Sequence, residues 1–305
     1  MPTIIETENL KKSYGKYSIL EDISLKIESG TVYGLVGLNG AGKTTFLRLL
    51  LGLLQPDCGY ISILGMNPWK HQQHFYKRAG VVLEHDGFWT NLTPWANLNI
   101  YAQAKDLTEN EVREYLDRYW SETDLFRSEK KTGHLSRGQK MQCALCRAFM
   151  GWPSVFFLDE PVLALDMTAY DHFCRLVEEA RKRGAALIIS SHQLDTIDTL
   201  CGRVGILRDK QLSELKRSVS ENEWIIVTDQ NVEWKDIIGQ CGGRNLSFKD
   251  GWKFTIDHPD MVIPDLIRKL VSAGCCIQEV KRLASDNIFS SAIKDIYCNN
   301  GKGQI

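Results

Sequence analysis

The residues best suited to chemistry in this chain lie in a glycine-rich stretch, Gly37-Leu38-Asn39-Gly40-Ala41-Gly42-Lys43-Thr44. Its spacing is G-x-x-x-x-G-K-[ST], and it joins a short apolar run to a segment with the apolar pattern of a helix. Glycines allow the backbone N–H groups to turn toward a polyphosphate, and the start of a helix adds partial positive charge. Lys43 can reach the terminal phosphates of a nucleotide, and the Thr44 hydroxyl can ligate Mg²⁺. The stretch predicts a nucleotide-phosphate site rather than an ordinary turn before a helix.

A pair of acidic residues supplies the second chemical element. Asp159 and Glu160 directly follow the apolar run 155–158. Asp159 can hold Mg²⁺, through water or with Thr44, and Glu160 is placed to polarise an attacking water. A lone Asp-Glu pair is also typical of a helix cap or a solvated strand end. Its occurrence together with the phosphate loop favours the catalytic interpretation.

These residues need a rigid sheet to position them, and the apolar patterns predict one. Alternation over 19–27 predicts a half-buried strand, and continuously apolar runs predict buried strands. Strands of that kind, alternating with helices, indicate a parallel sheet that is covered on both faces. Between the two chemical elements, residues 94–150 are mostly amphipathic, with Pro94 and Thr108-x-x-Glu111 as helix-start signals. The predicted buried strands are 32–36, 155–158, 186–190 and 204–207, and the predicted flanking helices are 44–54 and 168–183.

Length and a change in composition indicate two domains. At 305 residues the chain is long enough for about two. Residues 210–222 are rich in Lys, Ser and Glu, as expected of a surface connection. We therefore expect a first domain at 1–215, with a helical subdomain at about 86–150, and a small α/β domain at 222–305. Predicted elements of the small domain are strands at 224–228, 252–256 and 276–281 and a helix at 261–273.

Composition excludes several classes of protein. Hydrophobic residues make up 43% of the chain, which is too many for a globally disordered protein. The 37 Lys and Arg nearly balance the 38 Asp and Glu, so net charge gives no reason to expect nucleic acid as a partner. No apolar run approaches the ~20 residues of a membrane span, and no export signal is visible. We expect a cytoplasmic protein with reduced thiols, and we expect neither zinc nor redox chemistry at Cys143-x-x-Cys146.

A third motif narrows the class. Leu135-Ser136-Arg137-Gly138-Gln139 resembles the LSGGQ signature of ABC ATPases, and Ser191-His192 lies at the end of the next predicted strand. In its order of motifs the chain resembles the ATPase subunit of an ABC transporter over residues ~3–210. Tyr14, in Lys12-Ser13-Tyr14-Gly15, matches the aromatic position on which that family stacks adenine.

The resemblance implies a fold, a reaction and partners. The fold would be a P-loop NTPase core of the ABC ATPase type, a parallel sheet plus N-terminal antiparallel strands, with a helical subdomain. The chain would bind ATP and Mg²⁺, hydrolyse ATP and drive a separate integral-membrane permease at the cytoplasmic face of the membrane. Two copies would sandwich two ATP molecules, each between one copy's phosphate loop and the other's signature, with a homodimer as the default and a heterodimer as the alternative.

The resemblance also assigns roles to residues. Glu160 and His192 would be catalytic, and Thr44, Glu84 and Asp159 would contact the metal. The expected nucleotide contacts are Tyr14, Gly37, Leu38, Asn39, Gly40, Ala41, Gly42, Lys43, Thr44, Thr45, Ser136 and Gly138.

The sequence departs from the family pattern at three positions. Arg137 replaces the first glycine of the signature, and Ala164 stands where the D-loop commonly has glycine. Glu84 replaces the glutamine that usually contacts both Mg²⁺ and the membrane partner, although a carboxylate is still an oxygen ligand. Because Lys43 and Glu160 are retained, we expect an active ATPase.

Two regions bear on the partner and the direction of transport. The aromatic-rich loop at 85–98 is suited to binding the permease. Trp89 and Trp95 could instead pack between the helical and the sheet lobes. Residues 285–289, Ser-Asp-Asn-Ile-Phe, weakly resemble a C-terminal segment of export-type members, which favours export. Rival functions are an ABC ATPase acting on ribosomes or DNA, and a module that binds ATP only as a ligand. The single cassette disfavours the first, and Glu160 with His192 disfavours the second.

Overall fold

A computed structural model describes residues 1–83, 87–216, 223–228, 234–248, 251–257 and 259–282, together with Phe289 and Ile293. These residues form two compact units. The first contains the described residues up to Lys216 with Phe289 and Ile293, and the second contains the described residues from 223 to 282.

A six-stranded sheet is the centre of the first unit. Its order is β5-β6-β7-β3-β8-β9, with parallel pairing throughout except for the antiparallel edge strand β9. Every residue of β3, β6 and β7 is buried, as the apolar runs predict for a sheet that is covered on both faces. The strands are β3 (Val32–Val36), β5 (Ala79–Val82), β6 (Val155–Asp159), β7 (Ala186–Ser190), β8 (Arg203–Arg208) and β9 (Gln211–Lys216).

A three-stranded antiparallel sheet packs beside one face of the central sheet. Its order is β2-β1-β4, from β1 (Thr3–Tyr14), β2 (Tyr17–Glu28) and β4 (Cys58–Ile63). Side chains along β6 alternate between two hydrophobic cores: Phe157 packs with the core of the antiparallel sheet, and Phe156 packs with the core on the other side. The predicted combination of parallel and antiparallel strands is confirmed.

Seven α-helices surround the two sheets of this unit, within its described residues. Two of them begin with a capping box, Thr108 with Glu111 and Ser136 with Gln139. Short 3₁₀ turns at Asp124–Phe126 and Thr132–His134 connect the helical region to the signature. The helices are α1 (Lys43–Leu50), α2 (Gln72–Lys77), α3 (Pro94–Ala104), α4 (Glu109–Tyr119), α5 (Arg137–Phe149), α6 (Met167–Lys182) and α7 (Leu194–Leu200). None of the described helices is long and apolar enough to span a membrane.

The second unit has the strand order β11-β12-β10-β13, and all of its strand pairs are antiparallel. Along the chain its elements follow β-α-β-β-α-β, which is the ferredoxin-like arrangement. Its core consists of apolar side chains from both helices and the inner strands, including Ile226, Ile238, Phe254, Leu266 and Leu270. The elements are β10 (Glu223–Thr228), α8 (Trp234–Gln240), β11 (Arg244–Phe248), β12 (Trp252–Thr255), α9 (Pro259–Ser272) and β13 (Ile277–Arg282).

Two residues near the end of the chain belong to the first unit. Phe289 and Ile293 are buried in its larger core. The backbone N–H of Phe289 donates to Asp198 Oδ1 at 2.9 Å, and Asp198 is itself buried on α7. The small domain was expected to run from 222 to 305, whereas these two apolar side chains are buried in the core of the other unit.

Candidate functional site

The phosphate loop connects β3 to α1 and is shaped by its glycines. Gly40 and Gly42 have φ of +80° and +104°, which is the region that favours glycine. A Cβ on Gly37 would lie 2.7 Å from the carbonyl oxygen of Leu207 on β8, so the loop packs too closely for a side chain there. Lys43 Nζ donates to the carbonyl oxygens of Gly37 at 2.6 Å and Leu38 at 3.3 Å. The ammonium group is therefore held within the loop.

Thr44 and Asp159 bring two hard oxygen donors together. Thr44 Oγ1 lies 3.2 Å from Asp159 Oδ2, and the other carboxylate oxygen accepts a hydrogen bond from the Ser190 hydroxyl at the end of β7. Among the described residues, no three His, Cys, Asp or Glu side chains are grouped so that they could hold a metal by themselves. A donor set of one hydroxyl and one carboxylate suits Mg²⁺, which usually takes one or two protein carboxylates and completes its shell with phosphates and water.

Glu160 is fixed at a sharp turn after β6. Its φ is +49°, and its backbone N–H donates to both the carbonyl oxygen and the Oγ of Ser190, each at 3.1 Å. Its Oε2 lies 2.9 Å from His192 Nδ1, and the two residues come from neighbouring strand ends. A carboxylate that is held on one side by an imidazole is oriented for proton transfer.

A cavity of about 520 Å³ collects most of these residues. Eight predicted site residues line it: Asn39, Gly40, Gly42, Lys43, Thr44, Thr45, Asp159 and Glu160. His192 does not line the cavity, but it contacts Glu160, which does. Other predicted residues do not line it in this chain: Tyr14, Gly37, Leu38, Ala41, Ser136 and Gly138.

Sequence reasoning missed part of this lining. Ile19 contributes from β2, and Arg137, Lys140, Met141 and Ala144 contribute from α5. The spacing i, i+3, i+4, i+7 of the α5 residues is the helical signal that could have found them.

The signature lies at the start of α5. Ser136 Oγ accepts from the Gln139 N–H at 3.2 Å, and Gln139 Oε1 accepts from the Ser136 N–H at 3.0 Å. A Cβ on Gly138 would lie 2.6 Å from the carbonyl oxygen of Ala164, whose φ is +72°. The signature and the 162–166 segment therefore pack backbone to backbone.

Three further aromatic residues that were predicted to bind a ligand or partner do not line this cavity. Tyr14 is about half exposed, and Lys12 Nζ lies 5.9 Å from its ring centroid. Trp89 is 50% exposed, whereas the Trp95 ring packs against the larger core and under the Arg113 guanidinium at 4.5 Å. Glu84 lies outside the described residues, and its metal contact stays a prediction.

Comparisons with known proteins show which family the chain belongs to. A family model described as ABC transporter matches residues 20–163. The bacitracin transport ATP-binding protein BcrA of Bacillus licheniformis is 36% identical over 216 residues, which is 70% of each chain. The chain belongs to the ATP-binding subunits of ABC transporters. The resemblance predicted from its motifs is confirmed, and so are the fold class and the assignment as an ATPase that binds ATP.

Two further matches cover more of this ABC ATP-binding subunit. An uncharacterized ABC transporter ATP-binding protein, YhcH of Bacillus subtilis (strain 168), is 32% identical over 92% of each chain. A solved ATP-binding subunit of an ABC transporter is 25% identical, with a TM-score of 0.67, and covers 88% of this chain and all of that one. The likeness therefore extends beyond the cassette itself into the second unit.

Proposed function

We propose that this chain hydrolyses ATP between two copies and that the cycle drives export through a separate membrane permease. One observation supports it above all: Lys43, the Thr44–Asp159 pair and the Glu160–His192 pair meet at one cavity. Export is supported by relatives that include the Nod factor export ATP-binding protein I of Burkholderia orbicola (strain AU 1054), which is 32% identical over 67% of this chain. The permease would hold the subunit at the cytoplasmic face of the membrane.

In this proposal the loop residues bind and orient the triphosphate. Lys43 exchanges its two carbonyl partners for phosphate oxygens, and the loop N–H groups donate to the same oxygens. Thr44 and Asp159 would hold Mg²⁺, which when bound neutralises charge on the phosphates. Tyr14 stacks on adenine. Ser136 and Gly138, which lie at the start of α5 in the second copy, close over the γ-phosphate.

Glu160 acts on water. Its carboxylate accepts a proton from the water that attacks the γ-phosphorus, and the bond from that phosphorus to the bridging oxygen breaks to release ADP and phosphate. His192 orients Glu160 through the 2.9 Å contact with Nδ1. The strained φ of Glu160 and its two hydrogen bonds to Ser190 fix the direction in which the carboxylate points.

Steady-state hydrolysis and nucleotide binding test this assignment together. Glu160→Gln keeps the shape of the side chain but cannot accept the proton, so we expect turnover to fall at least 100-fold, in line with the ~10²–10⁴ contribution of a general base. ATP binding to this variant should persist, whereas Lys43→Ala should lose most of its affinity for a fluorescent ATP analogue. Unchanged turnover in Glu160→Gln would move the catalytic role to another residue. Unchanged affinity in Lys43→Ala would refute the phosphate site.

A further inference from the structure

The hairpin formed by β1 and β2 carries Tyr14 at its turn. Tyr14 is the last residue of β1 and pairs with Tyr17, the first residue of β2. Two residues further along β2, Ile19 lines the nucleotide cavity, and a Cβ on Gly42 would lie 3.0 Å from the Ile19 side chain. The β2 strand of the hairpin is therefore fixed against the phosphate loop.

The β1 strand of the hairpin has a different support, which is the side chain of Asp57. The pairing of β1 with β4 ends where Lys11 pairs with Cys58, two residues before Ser13. Asp57, the residue before β4, binds β1 at this point. Its Oδ2 accepts from the Ser13 N–H at 2.6 Å, and its own N–H donates to the Lys11 carbonyl oxygen at 2.9 Å. The backbone donor next to Tyr14 is thus bound by a side chain instead of a strand.

The same carboxylate holds a cation beside the Tyr14 ring. Lys12 Nζ donates to Asp57 Oδ1 at 2.9 Å and lies 5.9 Å from the centroid of the Tyr14 ring. The hydrogen bonds from Lys12 and Ser13 lower the pKa of the Asp57 carboxyl, so that the group is ionised at neutral pH. Asp57 therefore binds the backbone just before Tyr14 and the cation that neighbours its ring.

We propose that Asp57 is a positioning residue for the adenine of ATP and acts by fixing Tyr14 at the end of β1. The inference rests on the proposed function, in which Tyr14 stacks on adenine, and adds a residue from another segment of the chain. Ordering the ring before the nucleotide arrives lowers the conformational entropy that binding would otherwise cost. Asp57 does not line the nucleotide cavity, so its effect passes through Tyr14.

Calorimetric titrations of the full-length chain with ADP and with inorganic pyrophosphate test the proposal. Neither ligand is consumed by the proposed reaction, and only ADP carries the base. We expect Asp57→Ala to weaken ADP binding about three- to fivefold and to leave pyrophosphate binding within about twofold of the parent, because the order of the Tyr14 ring matters only to the base. Asp57→Asn keeps one oxygen acceptor and should lose less affinity for ADP.

A double-mutant cycle with Tyr14 separates positioning from an independent effect. Tyr14→Ala removes the stacking surface and should weaken ADP binding about tenfold, as expected for the loss of a base–aromatic stack. Adding Asp57→Ala to Tyr14→Ala should cost less than about 1.5-fold more, because the residue that Asp57 positions is already gone. Losses that multiply would mean that Asp57 acts independently of Tyr14, and the inference would be overturned.

Matched controls separate this inference from the proposed function. Asp117→Asn removes an exposed carboxylate that pairs with Arg127, away from the nucleotide cavity, and should leave ADP affinity unchanged. Thermal unfolding should show that every variant is folded like the parent.

If both Asp57 variants bind ADP like the parent while Tyr14→Ala loses affinity, the inference is wrong and the adenine contact stands. If Tyr14→Ala also keeps the parent's affinity, the adenine contact fails and the inference fails with it, whereas the phosphate site is judged separately by Lys43→Ala. Equal losses for ADP and pyrophosphate in Asp57→Ala would place the effect at the phosphate loop and would also contradict the inference.

Discussion

Two residues in the segment that follows β6 have strained backbone conformations. Glu160 and Ala164 have φ of +49° and +72°, in the region where side chains other than glycine are disfavoured by about 1–2 kcal/mol. At Glu160 the strain accompanies a chemical role that glycine could not fill. The Ala164 side chain has no chemical role, so glycine could replace it. Glycine is also the common family residue at this position and the residue that a positive φ favours.

Ala164→Gly should therefore stabilise the protein. We expect the free energy of unfolding to rise by about 1 kcal/mol, because the left-handed backbone costs glycine almost nothing. Urea denaturation of the full chain measures the change. Ala169→Gly, at a position inside α6, is the matched control and should lose about 0.5–1 kcal/mol. A loss of stability in Ala164→Gly would mean that its methyl group makes contacts worth more than the strain.

Glu84 carries a second prediction at the residue scale, drawn from sequence. If its carboxylate contacts Mg²⁺ when ATP is bound, Glu84→Gln keeps an oxygen ligand and Glu84→Ala does not. Hydrolysis should then be largely intact in the Gln variant, while the Ala variant needs a higher Mg²⁺ concentration for half-maximal rate. Superimposable Mg²⁺ curves for the parent and both variants would exclude the metal contact.

At the scale of elements, sequence patterns did not reveal the contact between Phe289 and Asp198 of α7, which we call the Phe289 anchor. Phe289 is fully buried, and its N–H donates to the buried carboxylate of Asp198, which lies on α7 six residues after His192. Helix α7 packs on β3, where a Cβ on Gly34 would lie 3.0 Å from Ile197. The Phe289 anchor thus packs against α7, the helix that directly follows His192.

Phe289→Ala should consequently destabilise the first unit. Truncation of a fully buried phenylalanine costs about 3–5 kcal/mol, and urea denaturation should register that loss. Phe248→Ala, which removes a partly exposed ring in the second unit, is the control and should change stability by less than about 1 kcal/mol. Equal effects of the two substitutions would contradict the anchoring role.

An element could be predicted from sequence where its burial gives it a continuous or regularly repeating apolar pattern. Strand β6 was predicted because four of its five buried residues form the continuous apolar run 155–158. Strand β1 was missed because register shifts around Asn9, which has φ of +49°, break its period of two. Helix α8 was missed because only Ile238 of its seven residues is buried. Short or irregular elements leave too weak a periodic signal.

The candidate site was more predictable than its surroundings. The loop around Lys43 and the acidic pair at 159–160 depend on local backbone geometry, which glycine spacing and a strand end encode directly. That Arg137 and Lys140 face the same cavity depends on how α5 packs against the sheet, and no local pattern specifies that packing.

At the scale of the whole molecule, one chain does not complete the proposed site. Ser136 and Gly138 do not line the cavity that holds Lys43 and Glu160 of the same chain, as far as the described residues show. The proposed closure over the γ-phosphate therefore needs the signature of a second copy. ATP would hold the two copies together, and hydrolysis would release them.

The mass of the Glu160→Gln variant in solution tests this account most directly. Without nucleotide, light scattering coupled to gel filtration should give the 34.7 kDa of one chain, and with ATP and Mg²⁺ it should give twice that mass. The parent should dimerise only transiently because it hydrolyses ATP, and Lys43→Ala combined with Glu160→Gln should stay monomeric because ATP no longer binds. An ATP-bound Glu160→Gln protein that keeps the mass of one chain would contradict hydrolysis between two copies.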